Sequence, residues 1–495
     1  RASDMKLQYD DLVMGSGVSG MTVSLLLAGT GRRVLLLEKS NAVGGSMQRF
    51  RRNSVPFDTG FHFTTNFTGC MGDMIRMLGL EDELECVPIG TNVIIGGRRL
   101  RIPRGRDRAC AYLCGEFPGE KEKIRRYFET EKRIYDNTAL FDLRTPGGFT
   151  AAQFLDEDFI SLADYLDSLG VSGELRAILA SFATCHGTPP SEISLADHCR
   201  VSYGLLDDLV RVKGGGGAFV EAFLRKAREL GITILTGTTM EACLELEKKR
   251  CHKVLLTDGS EVSFENCFMT IHPHGIAKIL PQSVQSEDFR KRIGEFGETC
   301  GFFTVFCTLD PPVPEFHQEL SSCFSTPDVE MILSGRHPEA TATAVMLTWE
   351  TASGGEQRQT LTAFETVFPE ETREWENTVH RNRPPSYSAY KQAKAQGIIK
   401  KVLQVYPQFE GHLKLAETAS MLTYRDYLSP FGSAYGIRQR MEQHNLFGRL
   451  PIRNFYVLGQ SALLPGAMGA MLSAFVIWRK LIGEEIYRKM PGLNS

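Results

Sequence analysis

The residues Gly15-Ser16-Gly17-Val18-Ser19-Gly20 follow a strand-like run, Tyr9 to Met14, and open a helical stretch. A second apolar strand, Val34 to Leu37, ends at Glu38, 18 residues beyond Gly20. In this order the residues can cradle a dinucleotide. Gly15 allows the tight turn, Gly17 lets the backbone approach a pyrophosphate, and Gly20 lets the helix pack against the strand. The helix N-terminus offers free N–H groups and a positive dipole end to the phosphates. Glu38 stands where a carboxylate accepts hydrogen bonds from ribose hydroxyls. The competing reading is a glycine-rich turn in an ordinary βαβ unit. Asp11, a charge within the first strand, departs from the all-apolar strand that the motif calls for.

No Ser-His-Asp order, CxxC pair or Cys/His metal spacing is present, and no metal is expected. The twelve cysteines are scattered, with Cys110 and Cys114 the closest pair. In a chain of 495 residues this predicts free thiols in a reducing, cytoplasmic compartment. Net charge is −3, with 42% hydrophobic and 23% charged residues, which excludes a nucleic-acid binder and fits a globular protein. The basic clusters, such as Arg98 to Arg108 and Lys121 to Arg126, read as solvated faces; contact with anionic lipid is the sharper alternative. The longest nearly uncharged stretch, Ala462 to Trp478, carries Pro465, Gly466 and Gly469 and is short of a membrane span.

The elements that must position these residues are discontinuous. From Pro103 to Ser202 the pattern is helical and amphipathic, with turns at Pro146-Gly147-Gly148 and His186 to Pro190. Gly214 to Gly217 opens a helix over Ala218 to Leu230, and strands are expected at Ile232 to Leu235 and Cys267 to Ile271. Val254 to Leu256 and Val262 to Phe264 read as a hairpin. Between Thr299 and Phe368, strands are expected at Phe302 to Leu309, Met331 to Leu333, Ala342 to Trp349 and Thr360 to Thr366. A last strand ends at Leu458-Gly459-Gln460 before a final helix. The fold class is α/β: a discontinuous Rossmann-like domain (5–95, 203–290 and 415–490) with a mixed α+β second domain (96–202 and 291–414).

With these motifs in order, the chain resembles the flavin amine-oxidase-like superfamily and, within it, the phytoene desaturase, carotenoid isomerase and retinol saturase group. The resemblance rests on the glycine fingerprint, Glu38, Gly44-Gly45, Phe57-Asp58-Thr59-Gly60 with His62, and Gly187-Thr188-Pro189-Pro190. It rests further on Gly214 to Gly217, Gly432 to Gly436, and Leu458-Gly459-Gln460 with Pro465-Gly466 and Gly469-Ala470. It implies FAD. The adenosine end would sit on Gly15, Ser16, Gly17, Gly20, Glu38 and Lys39, with adenine against the backbone of Met240. Gly44, Gly45 and Ser46 would line the flavin side. Ser46 stands where many relatives carry Arg. Gln460 after Gly459 stands where many carry Asp, and Gln can still donate and accept hydrogen bonds. The final helix, with Met468 in its first turn, would point its positive end at the flavin pyrimidine.

The resemblance implies hydride exchange between flavin N5 and a long apolar isoprenoid or polyene, with His62 and Tyr435 as candidate catalytic side chains. His62 has a plainer role as a backbone partner beside a glycine turn, and Tyr435 as a packing residue. Desaturation, saturation and redox-neutral isomerisation stay open at this point, as do a non-catalytic lipid or prenyl carrier and, more weakly, an amine oxidase. The electron partner is also open: transiently bound NAD(P)H, oxygen, a quinone or a protein. The second domain is expected to enclose an apolar tunnel ending near His62 and Tyr435, with its mouth beside a basic or apolar patch that touches a membrane.

Overall fold

A computed structural model describes residues 7–65, 67–144 and 154–493. The turn expected at Pro146-Gly147-Gly148 lies outside the described residues. Two large sheets organise the chain. The first has six strands in the order Thr233–Leu235, Val34–Leu37, Asp11–Met14, Asn266–Met269, Phe455–Val457 and Gly448–Arg449. All are parallel except the last, which pairs antiparallel with Phe455–Val457. Strands so placed are buried on both faces, which explains their uninterrupted apolar runs. Val13, Val34, Leu36 and Phe268 face helices Val18–Gly29, Gly215–Glu229 and Gly466–Ile482. Leu12, Met14, Leu35, Leu37 and Met269 face a four-stranded sheet that includes Met240–Glu247 and Arg250–Leu256.

Asp11, the charge within the first strand, is fully buried. Its oxygens accept from Arg32 Nε at 2.6 Å and Nη2 at 2.9 Å. The bidentate pair ties the start of the first strand to the turn before the second, so the departure from an apolar strand is a local staple.

The second sheet has seven strands: Leu413–Ala419, Gly301–Leu309, Gln357–Val367, Ala342–Thr351, Glu319–Phe324, Gly90–Ile95 and Arg98–Ile102. Its Phe303, Val305, Cys307, Leu361 and Ala363 pack on helix Pro385–Val405 through Ile398 and Val402. The opposite face presents Phe302, Leu320, Met346 and Phe364. Helices Arg106–Glu116, Lys121–Asp136, Leu162–Leu169, Gly173–Ala180 and Leu195–Asp207 form a bundle against Val93, Ile95, Leu100 and Ile102.

The expected domain boundaries and one expected strand need correction: the boundary after residue 202 cuts helix Leu195–Asp207, and the one after residue 414 cuts strand Leu413–Ala419 of the second sheet. Strand Gly90–Ile95 hydrogen-bonds in parallel to Glu319–Phe324, so a boundary after residue 95 cuts this sheet; the partner strand is more than 200 residues away and leaves no local trace. Met331 to Leu333 is not a strand but lies within helix Val329–Ser334. Asp328 caps that helix by accepting from Met331 N at 3.0 Å, and Gly335 ends it at φ +77°. Three apolar residues carry too short a period to separate strand from helix.

Asp11→Ala is expected to destabilise the protein by about 2 kcal/mol, the range for a hydrogen bond to a charged group. The measurement is the apparent melting temperature, compared with that of Arg32→Ala.

Candidate flavin site

The loop from Gly15 to Gly20 is built by close approach. Gly15 has φ +97°, and a Cβ there would lie 2.4 Å from Thr270 Oγ1. That hydroxyl donates to the Met14 carbonyl at 2.7 Å. A Cβ on Gly20 would lie 1.8 Å from the Gly15 carbonyl oxygen, so this glycine lets the helix meet the strand. Gly17 differs: a Cβ there meets no protein atom within 4 Å. Its Cα is approached by Gly45, where a Cβ would come within 2.9 Å. The open side of Gly17 at a helix N-terminus is the cradle a pyrophosphate requires, and the residues present fit a dinucleotide.

Glu38 braces this loop. Its Oε2 accepts from Ser16 N at 3.1 Å and Ser16 Oγ at 2.5 Å, and its Oε1 from Ser40 N at 3.0 Å. Ser16 Oγ also accepts from Gly44 N at 3.2 Å. Glu38, the glycine loop and the double glycine are therefore one hydrogen-bonded unit. The segment before Met240 runs alongside it: Thr238 N donates to the Glu38 carbonyl and Gly237 N to that of Ser40. Met240 turns its side chain into the core, which leaves its backbone as the group to face a ligand. Lys39 and Ser46 are exposed, and Ser46 lies beside Gly60, where a Cβ would come within 3.1 Å of its own.

The chain's other end closes on the same place. A Cβ on Gly459 would approach the Thr270 carbonyl at 3.3 Å and Ser19 Oγ at 3.6 Å, and its φ is +123°. Its N–H donates to Ser473 Oγ at 2.9 Å. Gly436 packs on this loop, a Cβ there meeting Ser461 Oγ at 2.2 Å and Gln460 Cγ at 3.6 Å. Met468, half-buried in helix Gly466–Ile482, packs against the core that holds helix Val18–Gly29.

His62 and Tyr435 stand at the two ends of one row of rings. His62 stacks on Phe364 at 4.5 Å with planes 16° apart. Phe364 meets Phe302 edge-on at 5.1 Å, and Phe302 meets Tyr435 edge-on at 6.2 Å. The row crosses the second sheet from the double-glycine side to the Gly459–Gln460 side. Tyr435 is held by Thr299, whose Oγ1 accepts from Tyr435 N at 3.2 Å and donates to the Gly436 carbonyl at 2.8 Å. Gly187 lies against its ring, where a Cβ would stand 3.0 Å from Cδ2. Both side chains are uncharged at neutral pH. Burial pushes the His62 imidazole down to about 4, helped by Arg211 and Arg49 and opposed by Asp58. Burial pushes the Tyr435 phenol well up.

Sequence reasoning missed Thr270, Thr299, Phe302, Phe364, Arg211 and Glu350. Thr270 had a usable signal: it follows a buried strand, as Gly15 does, and parallel strands gather ligands at their C-terminal ends. Phe302, Phe364, Arg211 and Glu350 come from distant strands and Thr299 from the segment just before one, and none carries a local pattern.

Gly17→Val is expected to fold yet lose flavin, because its side chain would occupy the pyrophosphate's place rather than a neighbour's. Gly20→Val is expected to lose the fold as well. Flavin absorbance and circular dichroism separate the two outcomes. Glu38→Ala should weaken FAD by roughly 1.5–3 kcal/mol, measured by titrating the apoprotein.

The all-trans-retinol 13,14-reductase of Macaca fascicularis is 24% identical over 100% of this chain and 89% of its own length. A prolycopene isomerase of an Oncidium hybrid cultivar is 32% identical over 28% of the chain and 24% of its own length. Among solved structures, putrescine oxidase bound to putrescine superposes with a TM-score of 0.66 at 14% identity, covering 97% of this chain and 99% of that one. This likeness concerns the fold. The sequence model for flavin containing amine oxidoreductases matches residues 18–390, most of the chain, and the protein belongs to that family as an FAD-dependent oxidoreductase.

Proposed function

We propose that this enzyme acts on a carbon–carbon double bond of a long polyene, in the manner of a saturase or desaturase. The observation that carries the reading is the row His62–Phe364–Phe302–Tyr435, laid between the two loops expected to hold the flavin. Leu320 and Met346 extend the same face. A flat conjugated chain gains stacking and apolar burial there, and no carboxylate cage for an amine is formed by these groups. The curated relatives support the reading, since one is named for reduction of retinol and another for isomerisation of prolycopene.

FAD, when bound, supplies hydride exchange at N5. The protein's own groups do the rest. The glycine loop, Glu38, the Met240 backbone and the Gly459–Gln460 loop hold the dinucleotide. The aromatic row aligns the chain and keeps water out. Saturation adds a hydride to one carbon and a proton to its neighbour. A two-electron donor must return the flavin to its reduced form; Tyr435 Oη, which keeps its proton over the working pH range, would deliver the proton and take one back from solvent before the next turnover. His62, neutral, adds polarity without charge. In this reading the parallel-sheet unit holds the nucleotide and the seven-stranded unit the substrate, whose tunnel leads to the ring row.

Such a substrate resides in bilayers. Among the described residues no helix is long and apolar enough to cross a membrane. The reading therefore places the enzyme peripherally on a membrane facing the cytoplasm, where its twelve free thiols stay reduced. Isomerisation with reduced flavin is the second reading, favoured by the prolycopene isomerase match.

The test is anaerobic incubation of the oxidised enzyme, and separately of the enzyme with its flavin chemically reduced by dithionite, with candidate polyenes, following the flavin spectrum and product mass. A mass change of two hydrogens is expected; unchanged mass with altered retention would mean isomerisation, and no reaction with any polyene would overturn the reading. Tyr435→Phe should keep FAD and lower kcat roughly a hundredfold, as removal of a general acid does. Because His62 titrates only near pH 4, the wild-type activity profile should show no limb from it between pH 5 and 8.

A further inference from the structure

Behind His62 four charges meet out of water. Asp58 and Arg49 come from the hairpin Arg49–Arg52 and Val55–Asp58, Arg211 from strand Leu209–Val212, and Glu350 from the second sheet. The side chains of Asp58, Arg211 and Glu350 are each exposed by 5% or less. Arg49 donates to Asp58 from Nε at 2.8 Å and from Nη2 at 2.9 Å, and to Glu350 Oε1 at 3.0 Å. Arg211 Nη2 bonds both Asp58 and Glu350, the latter at 2.6 Å. Its Nη1 donates to the His62 carbonyl at 3.0 Å. Asp58 also accepts from Gly216 N at 3.0 Å.

We propose that Arg211 is a positioning residue for the reaction: clamped by Asp58 and Glu350 at one nitrogen, it fixes the His62 backbone with the other and so keeps the imidazole stacked on Phe364. This rests on the reading that His62 faces the substrate. The arrangement explains why a buried guanidinium is retained here. A lysine offers a single ammonium and cannot span two carboxylates and a carbonyl in one fork. The cluster also acts on the ring electrostatically. Two carboxylates and two guanidiniums leave no net charge. Of the charged groups around the ring, Asp58 favours its protonation and Arg211 and Arg49 oppose it, while Phe364 covers its face without charge. Removing Arg211 leaves one net negative charge beside the imidazole, which must make it easier to protonate.

The experiment compares Arg211→Gln, Arg211→Lys and His62→Phe in the flavin-loaded enzyme, measuring FAD content, kcat, KM and the pH profile from 4.5 to 8. Arg211→Gln should retain FAD, lose at least tenfold in kcat with less change in KM, and bring in an activity limb about one unit or more above the wild-type titration of His62. That limb should vanish in the double variant with His62→Phe. Arg211→Lys keeps a charge but not the fork, so it should lose kcat with a flat profile; it carries the test alone if Arg211→Gln does not fold. Wild-type kcat in Arg211→Lys, or a limb that persists without His62, would overturn the proposal. Wild-type activity in His62→Phe alone would instead overturn the reading of His62.

Discussion

Asp58, Arg49, Arg211 and Glu350 sit where the hairpin Arg49–Asp58 and strand Leu209–Val212 meet the seven-stranded sheet, and their pairing is the constraint on which the site's geometry depends. Taking four ions out of water is costly, and replacing all four by well-packed apolar residues would often be neutral for stability. Removing one alone is not neutral, because it leaves an uncompensated charge in a medium of low dielectric. The cluster is therefore best understood through what it specifies. It joins a hairpin next to the double glycine, a helix start at Gly216 and a strand of the second sheet in one register. A shift of the hairpin against the seven-stranded sheet would break several charge-assisted hydrogen bonds at once.

The glycine loop is held by a different device. Here backbone must approach backbone, and each missing Cβ has a definite neighbour: Thr270 for Gly15, the Gly15 carbonyl for Gly20, Ser461 for Gly436. Gly17 has none, which separates glycines that serve the fold from one that serves a ligand. Glu38 links the two roles. It accepts two hydrogen bonds from Ser16 of the loop and one from Ser40, and so braces the loop that is proposed to hold the nucleotide. Loss of this carboxylate would remove all three of these hydrogen bonds and loosen the loop.

The aromatic row shows how a site can be polar in type yet uncharged. His62 and Tyr435 are both driven to their neutral forms by burial. A long conjugated chain needs such a wall, since fixed charges would have to be stripped of water to admit it. Phe302 and Phe364 lie on neighbouring strands of the seven-stranded sheet, with the opposite face of that sheet closed by helix Pro385–Val405. The sheet's alternation of sides thus divides its residues between a core packed on that helix and a face that carries the ring row.

The glycine loop and its place between strand and helix were legible in the sequence because their determinants are local. Gly15 to Gly20, the strand Val34–Leu37 and Glu38 lie within a single βαβ unit, and turn, helix start and acid follow at short, regular spacing. The parallel strands were legible too, as apolar runs bounded by glycine or charge. Residues 90–95 were placed with the nucleotide-binding domain, away from their sheet, because their partner strand, Glu319–Phe324, is remote in sequence. Met331 to Leu333 was misread because three apolar residues fit two periods equally, and the Asp328 cap decided for helix. His62 and Tyr435 could be named from their motifs, but not their connection, since Phe364 and Phe302 enter only when distant strands pair. The same holds for Arg211 and Glu350. In sequence each is one more charge; only tertiary folding puts them in contact, because electrostatic pairing depends on distance in space and not on position along the chain.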